Sequence, residues 1–179
     1  MKRVLPWMLA LTSGLLVGIC FPPFEYPHLS WLPWVALAPL CWALWVSPRT
    51  APPRLWARRA FLLGWLCGTV SFLISLFWIT TVTVLGWILL SIVVGLYHGL
   101  WGIFAGLVLR SAGEGKDPSQ AWLGNGRNLV VALLAAAAWV AVEWLRGTLF
   151  SGFGWNALGV AFVTASRSFR SPRSQEQLV

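Results

Sequence analysis

Glu143 and Arg146 stand three residues apart at the end of a long apolar run, in the block Glu143-Trp144-Leu145-Arg146-Gly147. On a helix that spacing puts both side chains on one face, where they can pair and offset part of each other's desolvation. A charge beside an apolar span is costly, so this block is the first candidate for function. Two readings stand side by side. In one, the pair is a structural anchor for the helix end. In the other it forms a polar lip, with Arg146 offering a planar fork of donors to a phosphate. The block that follows, Ser151-Gly152-Phe153-Gly154-Trp155-Asn156, joins glycine freedom to aromatic rings. Such a loop can approach a ligand closely, and packing of a surface loop explains it equally well.

Other reactive side chains are sparse. Cys20, Cys41 and Cys67 lie in or at the end of apolar runs with no CxxC pair and no adjacent base. A nucleophilic thiol needs an accessible, electropositive site, so none of the three is assigned as catalytic, and burial as small apolar residues is expected. His28 and His98 are the two histidines. They assemble no metal site, and no cofactor is expected. His28 ends a stiff, aromatic stretch, Phe21-Pro22-Pro23-Phe24-Glu25-Tyr26-Pro27-His28, between two apolar runs. His98, beside Tyr97, is expected to pack inside a bundle rather than face lipid.

The elements that must position these residues follow from composition. Of 179 residues, 58% are hydrophobic and 10% charged, against roughly 25% charged in a soluble domain. Five runs are apolar enough to cross a bilayer at about 20 residues each: Val4 to Phe21, Leu29 to Val46, Ala60 to Thr81, Leu85 to Leu109 and Leu129 to Leu145. Helices are required, because in lipid each backbone polar group must be bonded within its segment. The expected fold class is all-α, a polytopic transmembrane helix bundle of five to six spans. The segment Thr148 to Ser166 is the ambiguous sixth. Small-xxx-small pairs at Gly64 and Gly68, Gly95 and Gly99, and Gly102 and Gly106 predict close helix approach.

The formal charge of +8 sits between the apolar runs, at Lys2, Arg3, Arg49, Arg54, Arg58, Arg59, Arg110, Lys116 and Arg127, then in the tail at Arg167, Arg170 and Arg173. That pattern reads as membrane topology with a cytoplasmic N-terminus, and it argues against a nucleic-acid partner. Met1 to Cys20 resembles a secretory signal, but Ile19 before Cys20 is branched and further apolar runs follow, so an uncleaved helix is expected. Trp7, Trp42, Trp45 and Trp122 then fall near the inner surface, and Trp31, Trp34, Trp78, Trp87, Trp144 and Trp155 near the outer one. Trp101 and Trp139 are expected to pack between helices.

Five features occur in a recognisable order: Phe21-Pro22-Pro23-Phe24, Trp78 closing the third run, Tyr97 with Gly102 to Gly106, Glu143-Trp-Leu-Arg146-Gly147, and Gly152-Phe153-Gly154-Trp155. From about Leu5 to Ala161 the chain resembles the N-terminal membrane domain of the apolipoprotein N-acyltransferases. It departs at Gly154, where that family usually has proline, which weakens the expectation of a rigid loop. The resemblance implies an inner-membrane enzyme that takes an acyl chain from a phospholipid onto a cysteine. It then passes the chain to the α-amine of a lipoprotein's diacylglyceryl-cysteine. The Glu-Lys-Cys chemistry belongs to a nitrilase-like domain downstream of every residue present here.

The expected organisation is therefore a membrane domain over residues 1–161 and a disordered or truncated tail over 162–179, the chain being a fragment, a frameshifted end or a short form that is inactive alone. Glu143, Arg146, Trp155, Phe153 and Trp78 are the candidates for a lipid entrance. The expected partners are phospholipid, a diacylglyceryl lipoprotein and a separate nitrilase-like domain. The rival readings are a small transporter or channel, with His98, Glu143 and Arg146 marking a polar path, and a remnant that inserts and binds nothing.

Overall fold

The computed structural model describes residues 4–21, 31–47, 51–112, 126–149 and 152–161. The expectations placed on Lys2, Arg3, Glu25, His28, Arg49, Lys116, Trp122, Ser151 and the tail from Phe162 lie outside the described residues. Within them the elements run α1 (Leu5–Gly18), α2 (Leu32–Val35), α3 (Ala38–Trp45), α4 (Pro53–Ser75), a 3-10 helix (Phe77–Thr81), α5 (Val84–Ala112) and α6 (Gly126–Thr148). One helical turn follows at 158–161. The all-α bundle is what the chain forms.

Proline decides where several helices start. Pro6, Pro33, Pro39 and Pro53 occupy the first two positions of α1, α2, α3 and α4, where a missing N–H leaves no bond unmade. The same residue type corrects one expected span. The run Leu29 to Val46 is not one helix but two, parted at Ala36 and Leu37. Pro39 has no N–H for the Val35 carbonyl, and its ring crowds that carbonyl, so the helix cannot run through. Ser13 of α1 donates from Oγ to the Ala36 carbonyl at 2.6 Å, supplying a partner inside the break.

Among the described residues three helices are long and apolar enough to cross a membrane, over Pro53–Ser75, Val84–Arg110 and Leu129–Thr148, while Leu5–Gly18 and Leu32–Trp45 are shorter apolar stretches. The first two expected spans are thus shorter as helices than their apolar runs. The third is displaced instead: α4 begins at Pro53, seven residues before Ala60, so Arg54, Arg58 and Arg59 ride on its first turns rather than in a loop. After Ser75 the chain tightens into the 3-10 helix that carries Trp78.

The bundle is organised around α5, which packs along α4 and against α3 and α6. The small-residue pairs make that contact possible. A Cβ on Gly102 would lie 2.6 Å from the Ala60 carbonyl oxygen, and one on Gly64 would strike the His98 carbonyl. Tryptophan indoles then tie helix to helix: Trp65 Nε1 donates to the Ile92 carbonyl at 3.0 Å, Trp87 Nε1 to Leu73 at 3.0 Å and Trp101 Nε1 to Ala135 at 2.9 Å. Trp101 and Trp139 pack edge to face at 5.1 Å, both buried, as expected from their depth in the runs. Cys20 and Cys67 are buried and Cys41 half-buried, all three as free thiols.

Candidate functional site

The C-terminal end of α6 and the segment after it form one unit. Carbonyls at the helix end take the N–H groups of the returning chain, Gly152 bonding to Leu149 and Phe153 to Arg146, each at 2.9 Å. Two residues of the segment have positive φ, Gly152 at 71° and Asn156 at 56°. Glycine adopts that region without strain and asparagine more readily than most residues. Those reversals fold the segment back over α6, so that its backbone meets the two charged side chains.

Each charge reaches a different backbone group. Glu143 Oε1 accepts from the Leu158 N–H at 2.7 Å, covering the start of the turn at 158–161. Arg146 Nη1 donates to the Trp155 carbonyl at 2.6 Å. The i, i+3 spacing puts both on one face, as the sequence implied, yet both are spent on holding residues 155–158. Arg146 is 2% exposed, and its Cζ sits 5.2 Å over the ring of Phe72 from α4. Its fork faces inward, towards the protein's own backbone and an aromatic face, an arrangement worth more out of water than in it.

The aromatic candidates divide by depth. Trp155 and Trp78 are 60% and 48% exposed, and their rings meet at 5.5 Å with a 33° tilt. The segment after α6 is thereby joined to the corner between α4 and α5. Phe153 is half-buried and packs edge to face on Phe72 at 6.4 Å. Beneath, Phe72 meets His98 at 5.4 Å and His98 meets Trp139 at 4.9 Å, both edge to face. All five sequence candidates therefore lie in or beside one region, with Phe72 as the common floor under Arg146, Phe153 and His98. Phe72 was not among the candidates. As one of ten phenylalanines in an apolar chain, it carried no signal until the fold stacked Arg146 on it.

Several buried polar atoms here lack a partner among the described residues: Arg146 Nε, Asn156 Nδ2, His98 Nδ1 and Trp139 Nε1. No group of three or more His, Cys, Asp or Glu that could hold a metal occurs among the described residues. Cys67 is fully buried in the core with Leu63 and Trp101. The arrangement can present aromatic surface, fix a loop and accept an apolar molecule at its edge.

A profile of the apolipoprotein N-acyltransferase N-terminal domain matches residues 13–168. The chain is 37% identical over 162 residues to the apolipoprotein N-acyltransferase of Methylococcus capsulatus, covering 85% of this chain and 27% of that protein. It is 29% identical to that of Geobacter metallireducens, over 86% of this chain and 26% of the relative. With that of Caulobacter vibrioides it shares 30% identity, over 92% of this chain and 29% of the relative. The chain thus spans little more than a quarter of the length of these relatives. No solved structure matches it significantly. By the profile match alone, which covers most of its residues, the chain belongs to the apolipoprotein N-acyltransferase N-terminal domain family.

Proposed function

We propose that residues 1–161 are the membrane platform of a lipoprotein N-acyltransferase, set in the bacterial inner membrane with the N-terminus cytoplasmic, and that the end of α6 with residues 152–158 forms the rim at which lipid enters. The family reaction moves a phospholipid acyl chain to the N-terminal diacylglyceryl-cysteine of an apolipoprotein, and a nitrilase-like domain carries its nucleophile. In this chain Glu143 and Arg146 hold the rim in place. Trp155 and Trp78 form its exposed aromatic edge, and Phe153 seats it on Phe72.

The observation that carries this reading is the double attachment of the loop, Leu158 to Glu143 and Trp155 to Arg146, which sets Trp155 beside Trp78. Indole rings favour the headgroup level, and a loop fixed there can guide a lipid without doing chemistry. The polypeptide 1–179 is expected to transfer no acyl chain alone, since Cys20 and Cys67 are buried and Cys41 half-buried, and none has a base adjacent to it in sequence. Residues 162–179 are assigned no part in the platform.

The test is complementation of a bacterium depleted of its own lipoprotein N-acyltransferase, with N-acylation of a lipoprotein read by mass spectrometry. The chain is expressed alone and together with a separate nitrilase-like domain. Acylation only in the second case supports the platform, and Trp155→Ala should then lower it. Acylation by the chain alone overturns the inactive reading. No acylation in either case, with insertion confirmed, overturns the platform.

A further inference from the structure

Arginine gathers at the end of the bundle opposite the rim. Residues 49–59 hold four arginines and no acidic residue. Arg54, Arg58 and Arg59 lie on the first two turns of α4. Arg110, in the last turn of α5, reaches the same end, with its Cζ 5.6 Å over the Trp56 ring. From Arg54 to Phe72, the floor under Arg146, α4 rises about 27 Å at ~1.5 Å per residue. That is close to the ~30 Å hydrocarbon layer of a bilayer, so the arginines stand at headgroup level on one surface when the rim stands at the other.

We infer that these turns of α4 dock the phosphate of an anionic phospholipid in the leaflet away from the rim, with Arg54 and Arg58 as a paired fork and Arg59 as the deeper donor. The inference goes beyond the platform reading and needs neither the rim nor acyl transfer. Arg54 and Arg58 are four residues apart, which makes them neighbours about 6 Å apart along the helix. Both are exposed, and at about 100° per residue each falls about 160° round the helix from the buried Trp56. They therefore face the surrounding lipid rather than α5.

The local electrostatics call for an anion. The first turn of α4 carries no acidic residue and no side-chain cap, so its arginines sit at the positive end of the helix dipole and one turn from each other, two unfavourable placements. Among the described residues Glu143 is the single carboxylate, and it is held at the far end of α6 by the Leu158 N–H. Arg59 Nε is buried and has no acceptor among the described residues. A phosphate accepts from several guanidinium donors at once, and basic groups at the surface ends of spanning helices are where anionic headgroups bind. A topology signal needs only charge in a loop, whereas these arginines are fixed on a helix and Arg59 leaves a donor unspent.

The experiment reconstitutes the 179-residue chain in nanodiscs of phosphatidylethanolamine with phosphatidylglycerol as the minority lipid, and identifies the lipids that stay bound by native mass spectrometry. One arginine near an anionic surface supplies about fivefold; with two of the three exposed to solvent, phosphatidylglycerol is expected among the retained lipids at least about tenfold above its share of the disc. Arg54→Gln with Arg58→Gln should lower that excess at least about fivefold. Lys116→Gln with Arg127→Gln removes the same charge elsewhere and should change it by less than about twofold. An excess that survives the first pair, or falls equally in both, overturns the docking surface in favour of a diffuse positive field. No excess in the parent chain overturns it as well, and an excess that then emerges with Glu114→Gln and Asp117→Asn identifies the segment between α5 and α6 as the arginines' counter-charge. Circular dichroism checks that each variant keeps its helix content. If the glutamine pair does not, Arg54→Lys with Arg58→Lys is read instead: it keeps the charge and loses the planar fork, so it should reduce the excess without abolishing it, and an unchanged excess overturns the fork.

Discussion

Replacing Arg146 with methionine keeps most of the side-chain volume over Phe72 and deletes the donors that hold Trp155. The bond from Nη1 to the Trp155 carbonyl is 2.6 Å long, and hydrogen bonds to charged groups contribute about 1.5–3 kcal/mol. The guanidinium over the Phe72 ring at 5.2 Å adds about 0.5–2 kcal/mol. Some of this is returned, because the unpartnered Nε no longer has to stay buried, at a saving of about 1 kcal/mol. The midpoints leave a net loss of about 2.5 kcal/mol, within a span of about 1–4 kcal/mol, and at ~1.4 kcal/mol per decade the midpoint is a roughly 60-fold shift towards a released loop. Hydrogen exchange read by mass spectrometry over 152–161, in detergent micelles, measures it directly. Arg146→Met should speed exchange of that peptide by at least about tenfold and leave peptides of α4 and α5 unchanged. Arg146→Lys should fall between, since one ammonium can reach the carbonyl but cannot reproduce the planar fork. Exchange at 152–161 within threefold of the parent chain would refute the loop-holding role assigned to Arg146.

Glu143→Gln keeps an oxygen for the Leu158 N–H and should cost less than about 1 kcal/mol, whereas Glu143→Ala orphans that N–H at about 1–2 kcal/mol; exchange at Leu158 separates the two. Gly102→Leu drives side-chain atoms against the Ala60 carbonyl, where even a Cβ would lie at 2.6 Å. A loss of at least about 3 kcal/mol is expected, the upper end for overpacking, seen as a lowered midpoint in thermal unfolding from micelles. Ser13→Ala leaves the Ala36 carbonyl without its 2.6 Å donor inside the helix break and should destabilise by about 1–2 kcal/mol in the same measurement.

Much of the helical character was legible from the chain because lipid and backbone chemistry leave few choices. Long apolar runs with basic residues confined to their gaps lead to helices, and the glycine pairs at 64, 68, 95, 99, 102 and 106 announced the close packing of α4 on α5. The broken second run was legible in part, since Pro39 lies inside it, but run-finding by hydrophobicity does not weigh a missing N–H. The early start of α4 was hidden for the opposite reason. Its first turns carry Arg54, Arg58 and Arg59, which read as loop by charge although Pro53 is a good first residue for a helix.

At the candidate site, residue type and spacing put Glu143 and Arg146 on one face of one helix, because that is a property of the 3.6-residue repeat. What each side chain faces is a property of the whole fold. Whether Arg146 points outward to a headgroup or inward depends on Gly152 and Asn156 turning the chain back at positive φ, and on Phe72, seventy-four residues earlier, arriving beneath the guanidinium. The groove lined by Pro33 to Trp45 of α2–α3 and by Val131 to Glu143 of α6 is a tertiary fact of the same kind. Ala132, Ala135 and Ala136 are only small apolar residues in sequence, and they become one wall of a slot because α2–α3 stands opposite at a distance that local composition does not encode. Helix formation in lipid is decided by each segment's own unpaired backbone groups, whereas loop direction, burial of a charge and the width of a groove are decided by contacts between distant segments.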